Sequence, residues 1–173
     1  VTTHPGPFTV LGSPTPAVVD KSIVGLERHS EMFDMMGFEP SFDNKINIHI
    51  GGAYGDHAAT AVRWIAAWHR LSDSCKKRLV VENDDKANMW SVQMLYDYFH
   101  KEIGIPITFD YFHHKFHTSD LTEEQALKLA ATTWPENVRQ CTHYSESKRE
   151  EELRAFNRMC KANSINPNKI EDW

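Results

Sequence analysis

Cysteine is scarce in this sequence, and the few cysteines are widely separated. There are three, at Cys75, Cys141 and Cys160, an odd number with no CxxC pair among them. A disulfide framework and a cysteine-based zinc module are therefore excluded as the basis of the fold. The pattern indicates a protein of a reducing compartment.

Long apolar runs and an excess of positive charge are also missing. No stretch approaches the ~18 apolar residues that a membrane span needs, and residues 1–8 lack the basic and apolar regions of a signal peptide. We therefore expect a soluble intracellular protein with no membrane partner. The formal net charge is −5, so the chain has no general attraction for nucleic acid. DNA binding would need a local source of positive charge, such as bound divalent cations.

The sequence does contain a regular alternation of short β-branched runs with amphipathic segments. Apolar residues at three- and four-residue spacing predict helices over 17–36, 56–72, 122–132 and 148–163, and another helical face ends near Gly104. Strands that alternate with helices pair in parallel, because parallel neighbours require crossover connections. Since no linker or low-complexity segment interrupts the pattern, we expect 1–173 to form one α/β domain.

A side chain that can bind a metal stands at the end of each predicted strand. These residues are His4, His49, Glu82, Asp110 and His143. Successive members are 28 to 45 residues apart, and a (β/α)₈ barrel uses roughly 30 residues per βα unit. The spacing therefore predicts a TIM-type (β/α)₈ barrel of which about five βα units are present.

The carboxyl ends of parallel strands meet on one face of a barrel, so the five strand-end side chains are expected to share one pocket. His113 is a sixth candidate, and His114 shares its strand exit and either lines the pocket or faces water. Each residue alone is more simply explained as a capping acid, a turn former or a hydrogen-bonded histidine. Together they would be costly to bury without a neutralising partner. Mixed imidazole and carboxylate ligands favour two or more Zn²⁺, Mn²⁺ or Fe²⁺ ions, which can activate a water for phosphoryl displacement.

Five motifs occur in a fixed order. They are HPG at 4–6, HIGGAYG at 49–55, LVVEND at 79–84, FDYFHH at 109–114 and HYSES at 143–147. In this order and spacing they resemble the UV damage endonuclease family of DNA repair enzymes, over residues 1 to about 147. The resemblance implies a TIM barrel related to endonuclease IV, with a cluster of divalent metals that is most often manganese, zinc being the alternative. It implies incision of damaged double-stranded DNA immediately 5′ of UV photoproducts and other lesions, in the cytoplasm near the nucleoid or in a eukaryotic nucleus.

The resemblance also assigns roles to residues. It implies that the metal ligands are His4, His49, Glu82, Asp110, His113 and His143. Among these we expect Glu82, Asp110 and His143 to be the catalytic group. Pro7 and Phe8 follow HPG and are expected to probe the lesion, with His114 as a further DNA contact.

This chain departs from the family pattern at particular positions. Pro7 cannot donate the hydrogen bond of the polar side chain usual there, and Cys141 stands where some members carry a modified lysine. The family's first two strands and its last strand, with a glutamate ligand, have no counterpart. We therefore interpret the chain as a central fragment, and expect self-association because an open sheet exposes its edges.

Two other functions remain open from the residues. A sugar isomerase or epimerase of the xylose-isomerase-like barrel type also gathers Glu, Asp and His at strand ends. A catalytically inactive metal- or DNA-binding fragment is the second alternative, because loss of one bridging carboxylate can remove a metal.

Overall fold

Five short parallel strands lie side by side in chain order in the computed structural model, which describes residues 1–145 and 148–164. The strands are β1 (Thr2–Thr3), β2 (Lys45–His49), β3 (Leu79–Glu82), β4 (Ile107–Asp110) and β5 (Thr142–His143). The sheet curls into a half-barrel, so the prediction of an α/β, TIM-type but incomplete barrel is confirmed.

Helices connect the strands, and a last helix follows β5 along the chain. They are α1 (Pro16–Met35), α2 (His57–His69), α3 (Asp73–Lys76), α4 (Val92–Leu95), α5 (Lys101–Ile103), α6 (Tyr111–Phe116), α7 (Glu123–Ala131) and α8 (Lys148–Ala162). A π-helical turn, Tyr96–His100, joins α4 to α5. No helix in the described ranges is long and apolar enough to cross a membrane.

Local side chains determine where several helices begin. The Asp56 side chain accepts a hydrogen bond from the backbone at the start of α2, and Asp110 does the same for α6. Thr122 and Gln125 form a reciprocal capping box at the start of α7. These caps satisfy backbone N–H groups that a helix leaves unpaired at its first turn. Asp110 is therefore both the last residue of β4 and the cap of the helix that follows.

The two faces of the sheet differ in chemistry. Residues that alternate along the strands pack into the apolar core beneath the helices. They include Ile46, Ile48, Leu79, Val81, Ile107 and Phe109. Side chains at every second position of a strand share a face, so Asn47 and Thr108, both fully buried, lie on the opposite face together with the strand-end residues. The core thus places the polar set inside the curve of the sheet.

The strand register pairs the end of β2 with that of β3, and the end of β4 with that of β5. His49 pairs with Glu82, and Asp110 pairs with His143. Between them, Glu82 pairs with Thr108, so β4 extends two residues beyond the end of β3. A stagger between neighbouring strands accompanies barrel curvature.

Residues Val1–His143 form one compact unit, and Tyr144–Trp173 belong to a second, in which α8 is described. The interpretation of 1–173 as one domain stays a prediction.

Gly51, directly beyond the end of β2, offers a test of how tightly this end of the barrel is packed. Its φ is +89°, and an added Cβ would lie 2.7 Å from Val10 Cγ1. Gly51→Ala is expected to lower the free energy of unfolding by about 1–3 kcal/mol through left-handed strain and this clash. Gly52→Ala is the matched control, because nothing lies within 4 Å of its added Cβ. Urea unfolding measures the free energy of unfolding of both variants. Equal values for Gly51→Ala and Gly52→Ala would contradict the predicted clash.

Candidate metal centre

The carboxylate of Glu82 lies at the centre of the polar cluster. It is 2% exposed, and four imidazoles from four other segments face it. The distances to its oxygens are 3.4 Å from His4 Nε2, 4.0 Å from His49 Nε2, 3.7 Å from His113 Nδ1 and 3.0 Å from His143 Nδ1. The structure therefore brings together side chains that lie on five strand exits.

Two of these histidines have one ring nitrogen at hydrogen-bond distance from a backbone carbonyl. His4 Nδ1 lies 3.0 Å from the Pro5 carbonyl, and His113 Nδ1 lies 2.8 Å from the Asn83 carbonyl. Histidines that bind metals commonly donate their second N–H to a carbonyl or a carboxylate, which fixes the tautomer and leaves the other nitrogen for the ion. With Nδ1 of His4 at the Pro5 carbonyl, Nε2 is the ring nitrogen that faces Glu82.

Asp84 lies beside His49, as the carbonyls of Pro5 and Asn83 lie beside His4 and His113. Its Oδ1 lies 3.1 Å from His49 Nδ1, a contact at ion-pair distance that is not a well-aligned hydrogen bond. The carboxylate is buried, and its second oxygen, Oδ2, has no hydrogen-bond partner in the described residues. Asp84 thus acts on His49 from a position two residues beyond Glu82.

Asn83 connects β3 to the end of β4. Its Nδ2 donates to the Asp110 carbonyl at 3.1 Å, and its Oδ1 accepts from the Asp110 N–H at 2.8 Å. Its own carbonyl contacts His113, as described above. Asn83 therefore positions Asp110 through the backbone and His113 through the ring, without itself facing the cluster.

Two sets of ligand atoms are close enough together to hold an ion. One atom each from His4, His49 and Glu82 lie within 4.8 Å of one another, and so do atoms from Glu82, Asp110 and His113. Glu82 is common to both sets. The mixture of imidazole and carboxylate donors, held in place by outer contacts, is compatible with a divalent metal.

The charges of the cluster are strongly coupled. Burial by itself would raise the pKa of Glu82, but hydrogen bonds from His143 and His4 outweigh it and hold that pKa well below its usual range. Contacts with Cys141 and then Glu82 raise the pKa of His143 to about 10. The hydrogen bond to Glu82 raises the pKa of His4, and Asp84 raises that of His49 against the opposing effect of burial. A protonated His143 thus balances the charge of Glu82, and a cation bound here would take its place.

A second layer lies beneath the strand ends. Asn47, two residues before His49, donates from Nδ2 to Glu82 Oε2. Cys141, two residues before His143, contacts that histidine, which lowers the pKa of the thiol. The carboxylate of Glu82 is therefore supported from below as well as from the sides.

The three residues predicted to contact DNA lie in different environments. Pro7 and Phe8 are exposed on the loop after β1, and Phe8 is 88% exposed. His114 is 3% exposed, with its ring 5.3 Å from that of Phe109. Its burial keeps it from the surface that DNA could reach, so we do not propose a DNA contact for it. Glu146 and Ser147 of the HYSES motif lie outside the described residues.

The sequence patterns did not single out Asn47, Asn83 and Asp84. The signal for the last two was available, because both follow Glu82 directly in LVVEND. Their roles depend on neighbouring strands, which no local pattern reveals.

Comparison with known proteins identifies the family of this chain. The sequence profile described as UV-endonuclease UvdE matches residues 1–171. The chain belongs to this family. The resemblance drawn from the five motifs is thereby confirmed.

Individual relatives of the UvdE family agree. The chain is 39% identical over 158 residues to a UV-damage endonuclease of Neurospora crassa, covering 84% of this chain and 24% of the relative. It is 35% identical over 149 residues to a UV DNA damage endonuclease of Clostridium perfringens, covering 84% and 35%. The crystal structure of SacUVDE superposes with a TM-score of 0.78 at 32% identity, covering 91% of this chain and 55% of that one. The chain thus spans about half the length of these proteins or less.

Replacing Asp84 tests whether it positions His49. Asp84→Asn keeps the shape of the side chain but removes its charge, and we expect it to weaken Mn²⁺ binding about 10- to 100-fold, the usual effect of losing such an outer contact. Isothermal titration calorimetry with MnCl₂ measures this. Asp85→Asn, at the exposed neighbouring position, is the matched control. Equal losses in both variants would show a general charge effect instead.

The raised pKa of His143 predicts how stability depends on pH without metal. The His143 imidazolium, beside Cys141 and Glu82, stabilises the folded state fully below its ordinary pKa of 6.5, and this contribution is lost as the pH rises through about 10. With a chelator present, we expect the stability difference between the wild type and His143→Asn to shrink from pH 6.5 to pH 9.5. Urea unfolding at several pH values measures it. A difference that stays constant or grows would rule out this ion pair.

Proposed function

We propose that this chain carries the metal-binding half of a DNA repair endonuclease, which incises damaged double-stranded DNA 5′ of UV photoproducts and other lesions. The observation that carries the proposal is the convergence of imidazole and carboxylate groups on Glu82 within the UvdE family. Relatives in that family are named UV-damage endonucleases.

The proposed ligands are the six predicted from the sequence: His4, His49, Glu82, Asp110, His113 and His143. Manganese is the metal that we favour, with zinc as the alternative, because both accept imidazole and carboxylate ligands. When bound, such ions lower the pKa of water and stabilise negative charge on the leaving oxygen of a phosphodiester. They also supply the positive charge that a chain of net charge −5 lacks for DNA binding.

The roles of the protein groups follow from their contacts. Glu82 and Asp110 provide anionic oxygens from a buried edge of the sheet, where their charge attracts cations strongly. His143 places Nδ1 3.0 Å from Glu82 Oε2, where it would donate to that carboxylate and, with a metal bound, could provide an imidazole ligand. These are the three residues that we propose as catalytic. Asn83 and Asp84 are positioning residues, because they act through Asp110, His113 and His49.

Phe8 is the residue that we propose to probe the lesion. Its ring is exposed on a loop that begins four residues earlier at His4, one of the proposed ligands. An apolar ring of this kind can enter a weakened base stack, and damaged steps unstack at lower cost than intact ones. Pro7 shapes this loop but has no N–H to donate.

The cellular site and the assembly state remain parts of the proposal. An enzyme of this kind acts where DNA is, at the nucleoid in the cytoplasm or in a eukaryotic nucleus. Self-association stays a prediction, and gel filtration of the full chain tests it.

Incision of a defined substrate tests the proposed function. The full chain is incubated with Mn²⁺ and a labelled duplex that carries one photoproduct, and we expect a single nick 5′ of the lesion. Glu82→Gln is expected to abolish the nick, because it removes the charge shared by both ligand sets. Metal content is measured on the same samples.

Glu102→Gln is the matched control, because Glu102 is an exposed acid on α5. Retained incision by Glu82→Gln would contradict its catalytic role. If the chain binds Mn²⁺ and damaged DNA but makes no nick, the inactive metal- and DNA-binding alternative replaces the proposed activity.

A further inference from the structure

A groove lies on the rim of the barrel between the loops that follow β1 and β2. Phe8 and Val10 from the first loop, Tyr54 from the second and Lys21 from α1 are among its lining residues. We call it the rim groove. We propose that it holds a nucleobase displaced from the stack of bound DNA, with Tyr54 as a stacking surface beside Phe8. This inference rests on the proposed function.

Tyr54 is held in a backbone conformation that tyrosine disfavours. Its φ is +51° and that of Gly55 is +80°, in a turn closed by a 3.0 Å hydrogen bond from the Asp56 N–H to the Ala53 carbonyl. Thr60 Oγ1 donates to the same carbonyl at 2.7 Å. Asparagine or glycine would be expected at such a position. Backbone strain that the surroundings enforce is concentrated at functional sites.

Packing does not explain the tyrosine. Its side chain is 51% exposed and is not part of the apolar core. The ring has a cationic neighbour, because the Arg63 guanidinium carbon lies 5.9 Å from its centroid. Arg63 is itself fixed by hydrogen bonds to the Gly12 carbonyl at 3.0 Å and to Thr60 Oγ1 at 2.8 Å. An exposed aromatic ring on a constrained turn, with an anchored cation beside it, is suited to stacking with a flat partner.

The charge around the rim groove suits a nucleic acid strand. Lys21 lies in its wall and Arg63 lies over the Tyr54 ring, so two cations flank the aromatic surface. Asp20, the acid next to Lys21, is paired with Arg70 at 2.6 Å. In a chain with a net charge of −5, this local cationic pair favours the phosphates on either side of a stacked base.

The two loops that line the rim groove both begin at proposed metal ligands. The loop of Phe8 begins at His4 and the loop of Tyr54 begins at His49, and the rings of these two histidines are 5.5 Å apart. A strand whose phosphodiester lies at the metal centre would thus place a neighbouring base near the rim groove.

The chemistry of the walls indicates what the rim groove selects. The Ser22 hydroxyl is already used, because it accepts from the Val10 N–H at 3.0 Å and donates to the Val18 carbonyl at 2.9 Å. Stacking without hydrogen bonds to base edges accepts any base. We therefore infer that the occupant is selected by how readily it leaves the stack, and not by its identity.

Two variants of Tyr54 distinguish a role in base stacking from a role in the stability of the fold. Tyr54→Phe keeps the ring, whereas Tyr54→Asn removes it and tolerates the left-handed backbone better. Met35→Ala, at an exposed position at the far end of α1, is the control. The probe is a duplex with one abasic-site analogue, an adjacent 2-aminopurine and a phosphorothioate at the expected incision position, used with the full chain and Mn²⁺.

Fluorescence anisotropy is expected to show 5- to 150-fold weaker binding by Tyr54→Asn, the range for loss of one stacked base. Tyr54→Phe and Met35→Ala should bind within about twofold of the wild type, since both retain the aromatic surface. The 2-aminopurine fluorescence should be quenched by the wild type and by Tyr54→Phe, but not by Tyr54→Asn. The melting temperature of Tyr54→Asn should equal or exceed that of the wild type.

The outcomes distinguish this inference from the proposed function. If the wild type does not prefer the lesion duplex to an intact duplex, the proposed function fails and the inference fails with it. If it does prefer it, and Tyr54→Asn binds and quenches like the wild type, only the inference is overturned. Weaker binding by Tyr54→Asn together with a lower melting temperature would assign Tyr54 a structural role and would also overturn it.

Discussion

A single buried carboxylate organises the functional end of this protein. Glu82 is nearly inaccessible, and a charge in that position is tolerable only with close partners of opposite sign. Histidines from the ends of β1, β2 and β5 and from the start of α6 provide those partners. Because each partner comes from a separate βα unit, the curvature and the register of the whole sheet must be correct before the charge is neutralised. The polar cluster therefore forms only in the correctly folded sheet, and its charge pairs in turn stabilise that fold.

The strand ends could be predicted from the sequence because two local signals coincide there. An apolar β-branched run stops, and a side chain that can bind a metal follows, as at Glu82 and Asp110. The sequence pattern does not predict the short helix α6, because the apolar and aromatic residues of FDYFHH continue the run of β4, whereas Asp110 caps a helix immediately. The contacts of Asn47, Asn83 and Asp84 could not be predicted, since each acts on a residue of another strand. Local patterns specify which residues end a strand, but only the sheet specifies which of them meet.

The burial of His114 illustrates the same limit. It follows His113 directly, and sequence alone could not decide between the pocket and the surface. On α6 the two rings diverge, so that one faces Glu82 and the other packs on Phe109. Membership in the UvdE family, and not the ligand types, favours DNA repair over sugar isomerisation, because both chemistries gather the same residues at strand ends.

Asn83 has a consequence for how the sheet is built. The paired residues of β3 and β4 extend only from Val81 and Ile107 to Glu82 and Thr108. Beyond them the Asn83 amide both donates to and accepts from the backbone of Asp110, as a peptide group of a neighbouring strand would. A side chain thus replaces the next step of the ladder and lets the main chain of β3 turn away. Substitutions at this position should obey the rules of a backbone hydrogen bond: aspartate lacks the donor, leucine lacks both groups, and only an amide of this length completes the sheet.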